Sequence, residues 1–120
     1  MPYLFPFEKL TVWKSARKLA IDVYRITKAF PVEERFNINS QLQRAAVSVA
    51  SNIAEGSSRS SRKDQARFYE IAYGSLMEAL NLIILSHDLK YMEFEKVAEI
   101  RGVIEEIARM LNGLMNSIAE

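Results

Sequence analysis

His87 is the one histidine of the chain and there is no cysteine, so the reactive side chains are few. A di-iron centre in a helical bundle needs inward carboxylates and Glu-x-x-His pairs, and the residue three before His87 is Ile84. A Ser-His-Asp triad would have to use the same histidine. It falls near the end of a long apolar segment, where its cation favours a helix C-terminus. Glu105 and Glu106 are adjacent, point in different directions on a helix and cannot work as a paired acid and base. The expectation is a protein without catalytic residues, metal or cofactor. The lack of cysteine also removes disulfide scaffolds, zinc ribbons and thiol chemistry, which makes a reducing cytoplasm the default compartment.

What remains is charge. The stretch NIAEGSSRSSRKD, residues 52–64, interleaves serines with Arg59, Arg62 and Lys63 after a glycine. It lacks the GxxxxGK[ST] spacing and the preceding strand of a P-loop. Backbone N–H groups at a helix start nevertheless attract anions, and these three cations stand beside one. A second group is Lys14, Arg17, Lys18, Arg25 and Lys28. Residues 1–30 carry six basic side chains against Glu8 and Asp22, whereas residues 91–120 carry Lys96, Arg101 and Arg109 against Glu93, Glu95, Glu99, Glu105, Glu106 and Glu120. Either the two ends neighbour each other and partly cancel, or a basic face meets phosphates.

These residues are positioned by helices. Trp13, Ala16, Ala20, Val23, Thr27 and Phe30 recur every three or four positions, a helical stripe with the lysines and arginines opposite, and Phe30-Pro31 stops it. After the connector VEERFNI, Asn37 or Asn39 caps a second helix with Ile38, Leu42, Ala46, Val49 and Ile53 inward. Gly56 suits the left-handed position that ends many helices. Ser60 or Ser61 caps a third, from about Arg62 to Asp88, with Asp64 complementing its dipole. That helix is apolar on most of its circumference, with one stripe through Phe68, Ala72, Ser75, Ala79, Leu82 and Ser86 and another through Tyr69, Tyr73, Leu76, Leu80 and Ile84. It needs cover on more than one side. After a turn near Lys90 to Glu93, Val97, Ile100, Ile104, Ile107, Leu111, Leu114 and Ile118 form a packing seam.

With 120 residues, 49% hydrophobic and 26% charged, the chain reads as one soluble domain, residues 1–120. Four helices with short connections give an all-α, antiparallel up-down-up-down four-helix bundle. MPYLFPFEKL lacks the basic leader and apolar core of a secretion signal, and no stretch approaches the roughly 20 apolar residues of a membrane span. On the second helix, Gln41, Arg44, Ser48, Asn52 and Glu55 make a polar row. If the second and third helices form a hairpin, Arg44 comes within reach of Glu70 or Glu78, an ion pair that would fix register. Asn52, Glu55 and Glu78 belong to the same structural polar set.

QLQRAAVSVASNIAEG (Gln41 to Gly56) with FYEIAYGSLMEA (Phe68 to Ala79), together with FEKLTVW and FPVEERF, resembles the bacterial four-helix-bundle family named for proteins encoded in intervening sequences of the large ribosomal RNA. This is the family also called S23 ribosomal protein. The resemblance covers most of the chain except the fourth helix. It implies kinship with the accessory protein of diversity-generating retroelements, which forms a five-membered ring and binds nucleic acid beside a reverse transcriptase. Two positions depart: Gln43 stands where a second basic residue is frequent, and Ala50 where proline is. The loop also lacks a glycine near Ser58, while Arg59, Ser61 and Lys63 fit.

The function expected is therefore a non-catalytic homo-oligomer, five-fold if the resemblance carries over, that binds RNA or DNA through a basic outer surface. The alternative is a scaffold bundle offering an apolar groove to a protein partner. A membrane-surface role for the basic first helix with Tyr3, Phe5, Phe7 and Trp13 is set aside, because Trp13 falls on the core stripe.

Overall fold

Four helices account for most of the chain: α1 (Thr11–Thr27), α2 (Ile38–Ser57), α3 (Arg62–Asp88) and α4 (Phe94–Ile118). The structure, a computed structural model, describes residues 2–119; Glu120, part of the acidic C-terminal segment, lies outside them. Short 3-10 turns, Pro6–Lys9 and Val32–Glu34, precede α1 and α2. Each helix packs on its neighbours around a ring, α1 on α2, α2 on α3, α3 on α4 and α4 back on α1, and the α2–α3 seam is the most extensive. This is the antiparallel four-helix bundle that short connections dictate. It measures 43 × 34 × 24 Å.

The inward stripes are largely those of the helical period. Ile38, Leu42, Ala46, Val49 and Ile53 of α2 are buried, as are Val97, Ile100, Ile104, Ile107 and Leu111 of α4. Leu114 and Ile118 pack at the core's edge. On α1 the stripe is rotated: Val12, Ala16, Leu19, Val23 and Thr27 are buried, while Trp13 and Ala20 lie on its flank. Phe30, beyond the helix end, is buried against Tyr91. On α3, Ile83 takes the inward place and Ile84 is exposed.

Gly56 departs from the expected role. It lies inside α2 without a positive φ, so it is not a left-handed terminator. A Cβ there would stand 2.7 Å from Tyr69 Cε1 and 3.0 Å from Phe68 Cβ. Glycine is needed because the aromatic first turns of α3 lie against α2 at this level. The start of α3 is as expected, with Ser61 Oγ accepting from the Asp64 N–H at 3.1 Å. Asn37 stands at the N-cap of α2 but gives its side chain to Glu34 and Gln41 instead of the helix backbone.

One expectation about membranes changes. α3 is long and apolar enough to cross a bilayer by length and mean hydropathy alone. Ala, Ser, Gly and Asn dilute its apolar run without adding charge, which hides the property from a search for uninterrupted apolar residues. Here its inner side is core, against α2 and α4.

Candidate nucleic-acid interface

Burying Val12, Ala16, Leu19, Val23 and Thr27 fixes the opposite side of α1. Lys14, Lys18, Arg25 and Lys28 fall on it at intervals of four, seven and three, in one exposed row shared with Ile21. The row spans about 21 Å at the helical rise. Arg25 is 3.7 Å from Asp22, whereas Lys14, Lys18 and Lys28 have no carboxylate within ion-pair distance among the described residues. Arg17 stands on the flank, its guanidinium 5.5 Å from the Trp13 ring centre. α1 and α4 do neighbour each other, yet no ion pair joins them among the described residues. Two of the acids of α4 are instead met on their own helix, Glu99 by Lys96 and Glu105 by Arg101.

The loop cations are differently placed. Arg59 is 3.7 Å from Glu55 and lies 4.6 Å over the Phe68 ring, and its carbonyl accepts from Gln65 Nε2. These contacts hold Arg59 to the bundle end. Arg62 and Lys63 are exposed. The antiparallel course of α1 and α2 sets this loop at the end of the bundle where α1 begins, beside the Pro6–Lys9 turn. Arg25 and Lys28 are at the opposite end. The eight candidate residues therefore form a row and a terminal cluster, not a single patch.

The polar row of α2 is only partly as expected. Ser48 Oγ and Ser75 Oγ are 2.8 Å apart across the α2–α3 seam, and Asn52 Nδ2 donates to both Ser48 Oγ and Ser48 O. Glu55 pairs with Arg59. The ion pair expected of Arg44 does not form: Arg44 is exposed and neither Glu70 nor Glu78 comes within 4.0 Å, although Arg44 and Glu78 line one groove of about 440 Å³. Two small serines close this seam, so register is kept by short hydroxyl contacts and the long side chains remain in water.

His87 Nδ1 is 3.0 Å from the Met92 carbonyl, half-buried and edge-on to Phe94. A carbonyl only accepts, so Nδ1 carries the proton and the histidine closes the α3–α4 turn. The Tyr91 hydroxyl donates to Glu34 at 2.8 Å, and this bond, more than burial, raises its pKa above the ordinary value of 10.0. Burial alone raises that of Tyr69. No group of three or more His, Asp or Glu side chains able to hold a metal occurs among the described residues.

A family model described as 23S rRNA-intervening sequence protein matches residues 8–113. The chain belongs to this family. The match takes in most of α4, beyond the segments whose motifs carry the resemblance. A protein of unknown function from the S23 ribosomal protein family of Bacteroides thetaiotaomicron VPI-5482, solved by crystallography, superposes with a TM-score of 0.81 at 23% identity. The alignment covers 88% of this chain and 98% of that one, and at this identity it speaks for the fold alone. No curated protein matches. In this member of the intervening-sequence protein family, Gln43 Nε2 donates to Thr27 Oγ1 at 2.9 Å, tying α2 to the end of α1. In the sequence Gln43 shows only as a missing cation, Arg35 as part of a connector and Arg44 as half of an expected ion pair; both arginines are exposed, without ion partners among the described residues, and add to the basic surface.

Proposed function

We propose that this intervening-sequence family protein is a non-catalytic, oligomeric accessory protein that binds RNA or DNA in the cytoplasm through its basic outer surface. The observation that carries the reading is the row along α1, where Lys14, Lys18 and, at the helix cap, Lys28 face solvent without ion partners among the described residues. Such a row attracts phosphates by charge and releases counterions on binding, giving salt-dependent affinity with little sequence preference. One row binds weakly; repetition around a closed homo-oligomer, five-fold by the family resemblance, would multiply it. The apolar residues left in water on α3, Ile71 (43% exposed), Ile84 and Leu85, favour such an assembly.

A second reading, a scaffold for a protein partner, is favoured by the N-terminal segment. Tyr3 (74% exposed) and Phe5 lie edge to face, and Phe5 and Phe7 border a largely apolar groove beside Ala54 and Ser57. The readings separate in a binding titration of labelled duplex at two salt concentrations. Lys14→Gln, Lys18→Gln and Lys28→Gln together should weaken binding and reduce the log–log salt slope by about 0.7 to 0.9 for each phosphate no longer neutralised. The triple change Arg59→Gln, Arg62→Gln and Lys63→Gln should cost less, since Arg59 is already engaged. No binding by the unmodified chain at low salt would leave the scaffold reading. Unchanged binding in the α1 variant would refute the assignment to α1.

A further inference from the structure

At the far end of the α1 row, between the last turn of α1 and the first turn of α2, lies a pocket of about 320 Å³. Its walls are flat or apolar: Tyr24, half exposed, with Phe30 and Val32. Two amides line it as well. Asn39 Nδ2 donates to the Thr27 carbonyl at 3.2 Å and Gln43 Nε2 to Thr27 Oγ1 at 2.9 Å, so their N–H ends are anchored on α1. Their oxygens receive no hydrogen bond among the described residues, and Asn39 Oδ1 is buried as well as unpartnered. A buried acceptor without a donor is unusual enough to ask what supplies one. Gln43 is half-buried and opens onto the adjoining groove beside Arg44, so its oxygen is the acceptor a ligand reaches, whereas Asn39 Oδ1 is closed off from the surface.

Lys28 and Arg35 also line this pocket, both exposed and neither within ion-pair distance of a carboxylate among the described residues. Of the two connector acids, Glu34 is held elsewhere, accepting from Asn37 Nδ2 with one oxygen and from the Tyr91 hydroxyl with the other, and Glu33 is exposed on the same turn without lining the pocket. A ligand that fits is a flat ring that donates hydrogen bonds and is joined to phosphate. Lys28 is also the last cation of the α1 row, so a strand tracked along that row arrives here.

We propose that this pocket receives one unstacked base of a single-stranded nucleic acid, cytosine or adenine in preference to thymine or uracil, with Lys28 and Arg35 on the adjacent phosphates. The exocyclic amino group of cytosine or adenine donates to the accessible Gln43 oxygen, whereas thymine and uracil set a carbonyl oxygen at that position and keep only a ring N–H flanked by two carbonyl oxygens. Tyr24 supplies the stacking surface. This inference rests on the nucleic-acid reading and adds the base to it.

The test is an anisotropy titration of the full chain with oligo(dC), oligo(dT), an abasic strand and a duplex of equal length at one salt concentration. Oligo(dC) should bind most tightly and the abasic strand no better than the duplex. Tyr24→Ala should weaken oligo(dC) binding about tenfold while leaving the duplex within about twofold. Val32→Glu, on an exposed 3-10 turn where folding is not at stake, sets a carboxylate in the pocket shared with Lys28 and Arg35 and should weaken oligo(dC) binding more than duplex binding. Equal binding of oligo(dC), oligo(dT) and the abasic strand, or unaltered oligo(dC) binding by Val32→Glu, overturns the base pocket and leaves the phosphate reading standing. Failure of every probe, duplex included, overturns both.

Discussion

Gly56 shows how much one hydrogen atom in place of a methyl group decides at the α2–α3 seam. Inside a helix glycine is a poor residue, and alanine would normally gain about 1 kcal/mol. At this position the added Cβ meets the Tyr69 ring at 2.7 Å, and Tyr69 is buried in the core. Overpacking of this kind costs about 1–3 kcal/mol, so Gly56→Ala is expected to lower stability by up to about 2 kcal/mol net of propensity. Gly74 and Gly102, on α3 and α4, would have nothing within 4 Å of an added Cβ. Alanine there should raise stability by up to about 1 kcal/mol. Denaturant midpoints of the three variants give the comparison, and a Gly56→Ala protein that gains stability as the Gly74 and Gly102 variants do would contradict the close approach. The glycine was visible in the sequence as a break; its reason was not, because that reason is a ring on another helix.

At the scale of elements, α3 ends by its backbone and not by a sequence signal. Lys90 adopts φ 67°, the left-handed region, and the Tyr91 N–H returns to the Ser86 carbonyl at 2.8 Å with Lys90 N–H on His87. This arrangement of backbone bonds is the one glycine ordinarily serves. A side chain in that region costs about 1 kcal/mol. Lys90→Gly should therefore raise the melting temperature by a few degrees, and a lower one would mean that the lysine side chain makes up the difference. The turn persists because the next two residues are anchored: Met92 is buried, and Tyr91 packs on Phe30 and bonds Glu34. Helix bounds such as Arg62 to Asp88 were legible from the Ser61 cap and the apolar period. The rotation of α1 was less so, since Trp13 and Val12 are adjacent and both apolar, and only packing chose between them.

For the whole molecule, the outer side of α3 remains partly apolar after four helices have closed on one another. Ile71, Ile84 and Leu85 are each about two-fifths exposed. Scattered apolar residues are ordinary on a surface; three on the helix that also carries the largest seam are the basis for expecting self-association. Light scattering at micromolar concentration should give a mass several times that of one chain. Ile71→Asp with Leu85→Asp should lower it while the helical circular dichroism is retained. A monomeric parent would refute the assembly and with it the avidity that the nucleic-acid reading invokes.

The sequence by itself determined four helices, their order, most of their inward faces and the short connections that force them antiparallel. Those features follow from spacings of three and four residues, which are local and need no knowledge of a partner. Tertiary structure alone decided which polar groups meet: Ser48 with Ser75 across 27 positions, Gln43 with Thr27 across 16, and Arg44 with neither expected glutamate. Those pairings depend on the axial offset and rotation of one helix against another. A shift of one residue moves a side chain by about 100° around its axis, so a pattern that correctly tells inside from outside still leaves open which exposed cations stand free and which are held.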